Sequence, residues 1–388
     1  VTRKPPVRAV TLGVESSHPL GRETLFSAAQ DLRAAGRALE EEGYQVQTLR
    51  LSTRPVLADL AGWEEAELVG YAGRLQKALE LAGIEFCSLG PALPATGPPS
   101  VPVLARMLAG NPALSGSVMV ATPEGGLDLA MARAAAGAML WLAGNTEGGL
   151  GNFNFAALAC VGPGTPFFPA AYHAGPASIS VCLQGAGVVG DALAGGTDLE
   201  KVERRVAEAL RLAAGPVVEL AERVSTALGL CFTGIDLSPA PEVDDSIVAA
   251  LEAAGHGAFG GPGTLALVAA VTAGVRSTGL PACGYSGLML PLMEDAVLAE
   301  RWEAGYVGTD QLLAWSAVCG TGLDTVPLPA DVALEDLTRV VADVGSLAAR
   351  YGKPLSARLL PAPGKHAGER TEFCSPYLVN TLVKPLGS

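Results

Sequence analysis

The sequence is short of charge, of paired cysteines and of unbroken apolar runs, and each shortage excludes something. Only 17% of the 388 residues are charged, against 49% hydrophobic, with a mean hydropathy of +0.34. A chain that apolar can bury a full core, which excludes intrinsic disorder. Basic residues are the scarcer sign: 26 Lys and Arg against 39 Asp and Glu leave a net charge of −13. Such a surface repels nucleic acid and anionic membranes, so neither is expected as a partner. An anionic ligand then needs a locally positive pocket. Cys87, Cys160, Cys182, Cys231, Cys283, Cys319 and Cys374 stand singly, with no CxxC spacing and no pairing frame. They read as reduced thiols, most of them core filler. The start, residues 1–8, is basic without the apolar core of a signal peptide. The most apolar helical stretch, 127–143, is short for a membrane span and carries Asp128 and Arg133. A soluble, cytoplasmic protein is expected.

Several chemical signatures are missing too. Gly185-Ala-Gly187 lacks a third glycine at dinucleotide spacing, and no lysine follows the 260–264 turn, so no nucleotide cofactor is expected. There is no Gly-x-Ser-x-Gly elbow on which to build a serine hydrolase triad.

What is present is a βαβα rhythm. Strands are predicted at 8–14, 44–51, 84–89, 117–121 and 156–161, with helices at 22–42, 63–81, 101–109 and 127–143. That alternation implies parallel strands covered by helices. Residues 148–175 break it with prolines, Phe167, Phe168 and His173, in the kind of irregular loop where functional groups often sit. A strand at 179–183 and a helical pattern at 197–228 follow, kinked or split at Gly215-Pro216. Next come a strand ending at Phe232 and Ile235, and helices at 296–305, 309–318 and 334–351. A turn at 319–324 leads into 325–329, and a last strand covers 355–360. No linker divides the chain. One large α/β domain is expected, with approximate halves 1–196 and 197–388.

The densest chemistry lies between Thr233 and Asp295. An apolar strand delivers Asp236, and Ser238 and two prolines force an extended turn. Asp244, Asp245 and Ser246 precede an apolar helical run, and the glycine-rich turn 260–264 opens a second helix. The backbone N–H groups of Gly261, Gly263 and Thr264 are candidate anion donors. Glu294 and Asp295 end a buried-looking run, and Asp324 closes a glycine turn. Converging carboxylates suit a hard cation, so Asp236, Glu294 and Asp295 are candidate ligands for Mg²⁺ or Ca²⁺. Paired carboxylates equally suit acid–base work, with Asp236, Glu294, Asp324 and His173 as candidate catalytic groups. His366, beside Lys365 on a polar loop, is a candidate substrate contact. The plainer readings are helix capping for Asp244, Asp245, Glu294 and Asp295, a backbone hydrogen bond for His173, and a solvated loop for His366. Asp236 is harder to dismiss, because a carboxylate after an apolar strand is costly unless paired or at a mouth.

Taken in order, segments 233–241, 245–252, 260–264, 291–295, 319–324 and 167–175 resemble the DUF711 family, also catalogued as UPF0210. The likeness is strongest after Pro166. It implies a fold like that of pyruvate formate-lyase, in which two five-stranded parallel halves form a ten-stranded α/β barrel. It carries no agreed biochemical function. Pro262 stands where the related turn can hold a histidine, and Pro176 where a more polar residue is common. Glycyl-radical chemistry is not expected, since the tail after Tyr351 offers only Gly364 and Gly368 amid Lys365, His366 and Glu369. The expectation is a homo-oligomeric enzyme acting on a small anionic or polar metabolite by metal-assisted or acid–base chemistry. The alternative is a non-catalytic metabolite-binding or regulatory protein on the same barrel.

Overall fold

A strand followed by a helix returns the chain to the end of the sheet where it began, so successive strands pair in parallel. In the computed structural model, which describes residues 4–243 and 245–387, this produces β1 (Val7–Gly13), β2 (Val46–Ser52), β3 (Phe86–Ala92), β4 (Leu114–Thr122) and, after the two-residue β5 (Gly126–Leu127), β6 (Phe155–Ala159). Helices Arg22–Glu41, Glu65–Ala82, Ser100–Leu108 and Leu129–Asn145 lie between them. The order β1-β2-β3-β4-β6 is parallel throughout, and β5 pairs antiparallel with β4.

The remaining strands run the other way. β7 (Ser178–Leu183) pairs antiparallel with β1 and parallel with β8 (Cys231–Asp236). At the opposite edge β10 (Leu355–Pro361) pairs antiparallel with β6 and parallel with β9 (Gly322–Leu328). The sheet therefore reads β8-β7-β1-β2-β3-β4-β6-β10-β9. Strand direction reverses between β6 and β7, across the irregular stretch expected at 148–175. Isolated parallel bridges, Ile235 with Ala282 and Pro291 with Asp324, attach one segment, 281–292, to both terminal strands. Ile235 N donates to Pro281 O at 2.8 Å, Cys283 N to Ile235 O at 3.0 Å, and Leu292 N to Asp324 O at 2.9 Å. Gly234 permits this approach: a Cβ there would stand 2.5 Å from Pro281 O.

Side chains alternate across the sheet. Val10, Val118, Val120, Ala157, Ala159 and Val181 join the main core under the helices. Their neighbours Ala9, Met119, Ala156, Leu158 and Cys182 form a smaller cluster on the other face, with Tyr285 and Met289 of the bridging segment. That second face carries the site.

Two expectations change. Helix Leu199–Ala227 continues through Pro216, so the glycine–proline pair does not split it. β9 begins at Gly322, which places Asp324 inside a strand and not in a turn. Among the described residues no helix is long and apolar enough to cross a membrane.

Candidate active site

The second face of the sheet borders a cavity of about 630 Å³. Its walls come from both strand sets: Arg8 of β1, Arg50 of β2, Ser115 of β4, Asp324 of β9 and Arg358 of β10, with Tyr285 and Glu294 from the segment that joins β8 to β9. Small residues on the inward positions, such as Ser115, Ala156 and Ser356, leave the space open.

Glu294 is the centre of the charge network. Its Oε2 accepts from Arg8 Nη2 at 3.2 Å, and its Oε1 from Arg358 Nη2 at 2.5 Å. Arg358 Nε also donates to Asp324 Oδ1 at 2.6 Å. Arg8 makes further bonds to Gln184 Oε1 at 3.0 Å and Pro241 O at 2.7 Å. Two cations and two carboxylates thus neutralise one another in a half-dry wall, where each group depends on its partners. Burial works to lower the pKa of Arg358, but Asp324 and Glu294 outweigh it and hold the guanidinium firmly charged.

Arg50 is different. Its Nε donates to Thr48 Oγ1 at 2.9 Å, and its guanidinium lies over the rings of Phe86 and Phe168, 5.4 and 5.2 Å from their centroids. Among the described residues no carboxylate pairs with it. Desolvation lowers its pKa to about 10, with Arg8 adding to the fall and Glu294 opposing it. At neutral pH Arg50 remains a cation, held by aromatic faces and facing the cavity.

The residues expected from sequence divide. Glu294 and Asp324 line the cavity. Asp236 and Asp295 do not. Asp236, fully buried, ties the bridging segment to β8. Its Oδ1 accepts from Ser238 N, Ser238 Oγ and Ser286 N at 2.9, 2.6 and 3.1 Å, and its Oδ2 from Tyr285 N at 2.7 Å. Burial pushes its carboxyl up while these donors pull it back. Asp295 caps helix Ala296–Glu303 through Leu298 N at 3.0 Å and reaches Val248 N at 3.2 Å, so it serves two helix starts. The trio Asp236, Glu294 and Asp295 does not converge on one point. No group of three or more His, Cys, Asp or Glu placed to hold a metal stands among the described residues.

Two of the three amides expected to hold an anion are taken within the turn: Gly261 N donates to Ala258 O and Thr264 N to Gly261 O, while Gly260 N donates to Thr264 Oγ1. Gly261, Gly263 and Thr264 lie outside the cavity wall. His173 packs its ring against Gly13, bonds Gly175 O through Nε2 at 3.0 Å, and has its pKa lowered by burial. His366 is exposed on its loop beside Asp331, with 3.2 Å between Nδ1 and Oδ2. Ser246, and not the expected Asp245, caps helix Ile247–Ala253; Asp245 instead accepts from Gln184 Nε2 at 3.4 Å, and Asp244 lies outside the described residues.

Arg8, Arg50 and Arg358 were not singled out from sequence. A signal existed for two of them: Arg8 and Arg358 interrupt apolar strands, where a charge is costly unless it has a role.

The sequence matches the family described as Uncharacterised ACR (DUF711) over residues 2–376. The chain belongs to the DUF711 family. Its relatives include a UPF0210 protein of Pyrobaculum arsenaticum, 31% identical, with 95% of this chain and 87% of the relative covered. A UPF0210 protein of Listeria monocytogenes is 28% identical, covering 95% of this chain and 88% of its own. Among solved structures, the anaerobic ribonucleotide reductase from Thermotoga maritima in complex with dATP and CTP is 11% identical at a TM-score of 0.44, over 96% of this chain and 79% of that one.

Proposed function

We propose that this protein is an enzyme that binds a small anionic metabolite in the cavity and transforms it by acid–base chemistry. In this reading the 281–292 segment fills the gap between β8 and β9 and closes the sheet into a barrel. The two bridges and the wall residues drawn from both strand sets support that closure. The observation that carries the proposal is Arg50, a desolvated cation facing open space with no carboxylate partner among the described residues. Arg50 is half-buried, and a partly desolvated charge without a partner is held at a cost that an anionic ligand would offset.

Glu294 spends both oxygens on arginines and acts as their counter-ion. Asp324 commits Oδ1 to Arg358, while Oδ2 has no hydrogen-bond partner among the described residues and is the candidate base. Tyr285 is the candidate proton donor: burial raises its pKa strongly, so the phenol is neutral, with the Ser356 hydroxyl beside it. A Mg²⁺ or Ca²⁺ held by Glu294 and Asp324 would compete with Arg358 for the same oxygens, so proton transfer is put first.

The test pairs two substitutions with a screen of organic anions by thermal shift and turnover. Arg50→Met is expected to abolish anion-dependent stabilisation while the fold persists. Asp324→Asn is expected to keep the stabilisation and lose turnover by about 100-fold or more, the scale of general-base removal. Stabilisation undiminished in Arg50→Met would refute the site. Turnover undiminished in Asp324→Asn would remove the assigned base. Binding without turnover in the unmodified protein would leave a metabolite-binding protein.

A further inference from the structure

Resting on the reading of Asp324 as the base, we infer that Thr325 is a positioning residue: its backbone turns Asp324 into the cavity and its hydroxyl fixes Glu294 beside it. The register of β9 on β10 shows how. Ala357 pairs with Leu323 and Leu359 with Val326, so Asp324 and Thr325 together stand opposite Arg358. That is a β-bulge, a feature seldom found between parallel strands and one that re-aims a side chain where it occurs. The core face of the strand is kept on either side of it: Leu323, Val326 and Leu328 all join the main core, as do Leu355, Ala357 and Leu359 of β10. Without the extra residue, strict alternation would put Val326 on the face that Asp324 occupies. The bulge thus lets an acid face the cavity from a strand that is otherwise apolar.

Thr325 is costly in that place. Its φ of 45° lies in the left-handed region, where a β-branched side chain is crowded and glycine is free. Glycine would adopt the bend without strain but has no hydroxyl, and the hydroxyl has a partner. Thr325 Oγ1, fully buried, accepts from Met293 N at 3.2 Å, and Met293 is the residue before Glu294. One residue earlier, Leu292 N donates to the Asp324 carbonyl at 2.9 Å. Strain that persists at such a point is a mark of a functional site. Among the described residues, the other non-glycine positions at positive φ are Cys160 and Ser286. Ser286 lies in the same bridging segment, where its amide donates to Asp236 Oδ1 at 3.1 Å. The segment is therefore pinned toward β8 and toward β9 by hydroxyl residues in conformations that suit glycine.

The consequence reaches three charged groups. Arg358, opposite the bulge, donates through Nε to Asp324 Oδ1 at 2.6 Å and through Nη2 to Glu294 Oε1 at 2.5 Å. One guanidinium spanning two carboxylates aligns both only while their backbones hold still. Thr325 sets those backbones, Asp324 through the bulge and Glu294 through the Met293 amide. A shift of about 1 Å in either would turn Asp324 Oδ2 away from a bound ligand, and a misplacement of that size can lower a rate by about 100-fold. Arg50 is held separately, by Thr48 and two phenyl rings, so the anchoring of an anion should survive.

The experiment uses the full chain, labelled with nitrogen-15, as the native protein and as Thr325→Ser, Thr325→Val and Thr325→Gly. The Nε–H signal of Arg358, assigned by its disappearance in Arg358→Lys, reports the bond to Asp324 without any substrate. A short charge-assisted bond moves that signal downfield and slows its exchange with water. Thr325→Ser is expected to keep the signal, while Thr325→Val and Thr325→Gly are expected to quicken its exchange by about fivefold or more. An unchanged signal in Thr325→Val and Thr325→Gly would overturn the inference even if both melt at lower temperature, because the hydroxyl would then stabilise the fold without placing Asp324. Equal loss in Thr325→Ser would overturn it as well. If the hydroxyl-free variants do not fold, the native chain decides. A shared device opens as one, so exchange of the Met293 amide and of the Arg358 Nε–H should respond alike to denaturant, and different responses would refute it. With a substrate from the anion screen, Thr325→Gly is expected to keep anion-dependent stabilisation and lose turnover by about tenfold or more. The reading beneath fails separately: turnover undiminished in Asp324→Asn removes the base whatever the Nε–H signal does. Turnover lost in Asp324→Asn but undiminished in Thr325→Gly would overturn the inference alone.

Discussion

Glu294 accepts from two guanidiniums that approach from strands on different parts of the sheet, Arg8 of β1 and Arg358 of β10. Glu294→Gln would leave Arg8 without a carboxylate and Arg358 with only Asp324. Removing one partner of a buried pair costs about 3–5 kcal/mol, because the remaining charge stays desolvated. Chemical denaturation should show a loss of that size for Glu294→Gln, and a smaller one for Asp324→Asn. A loss below about 1 kcal/mol, typical of surface pairs, would mean that water reaches the network freely. His18 offers a second test. It is buried between Tyr71 Oη at 2.7 Å and Thr53 Oγ1 at 2.8 Å, and burial lowers its pKa to about 4 against a weaker upward pull from Asp59. Its folded value lies below the unfolded value of 6.5, so the unfolded chain takes up the proton first. Stability is fully present above about pH 6.5, falls as pH drops toward about 4, and then levels, a total of about 3 kcal/mol from this group. Stability curves from pH 7 to 4 should be steeper for the native chain than for His18→Gln, and parallel curves would contradict the assignment. These residues differ in how well the sequence announced them. Glu294 and Asp324 were legible because acids at the ends of apolar runs stand out. Asp236 stood out for the same reason, yet its four donors come partly from 285–286, some fifty residues away in sequence, and only folding reveals them. Arg50 was hidden by its setting. The alternation of 44–51 places polar residues on one face, and that face reads as solvent when it is the wall of the cavity.

The strands and long helices follow from pattern almost directly, since apolar runs and 3.6-residue periodicity report the main core. Helix Leu334–Tyr351 lies where its periodicity puts it. The 281–292 segment does not announce itself. Pro281, Gly284, Gly287 and Pro291 interrupt it, and it forms isolated bridges instead of a strand, so it reads as a loop. Besides the Asp236, Ser238 and Thr272 side chains that bond its amides, close backbone contact holds it. Gly320 N donates to Leu288 O at 2.7 Å, and a Cβ on Gly320 would stand 2.5 Å from the Gly287 carbonyl carbon. This is backbone against backbone, with no flexible side chain able to yield. Gly320→Ala should therefore cost about 1–3 kcal/mol as an overpacking change. It should also raise hydrogen exchange in 285–292 more than in β2 or β3. Thermal melts with site-resolved exchange check both, and an unchanged segment would show that the two glycines are not in register contact. Because Tyr285, Met289 and Glu294 all depend on this segment, the same substitution should weaken ligand binding without touching a ligand contact.

At the scale of the whole molecule the question is whether the cavity is the inside of a closed barrel or one side of an open sheet. An open sheet would end at β8 and β9, and each edge would offer a row of unpaired amides and carbonyls to solvent or to another chain. The bridging segment meets both edges: Ile235 N donates to Pro281 O and Cys283 N to Ile235 O beside β8, and Leu292 N donates to Asp324 O on β9. Closure also governs the electrostatics. A guanidinium beside an open cleft is screened by water, whereas one in a walled cavity acts through a low dielectric, where an anion gains far more from meeting it. Under the proposed closure, the desolvation of Arg50 and the closed wall stand or fall together. Hydrogen exchange followed by mass spectrometry tests it directly. If the ring is closed, the amides of Ile235, Cys283 and Leu292 should exchange as slowly as those of Leu49 and Cys87 in the parallel set, because opening them requires separating a whole face. If those three exchange at loop rates while β2 and β3 stay protected, the wall is open on that side. Arg50 would then be hydrated, and the reason to expect an anion beside it would be gone.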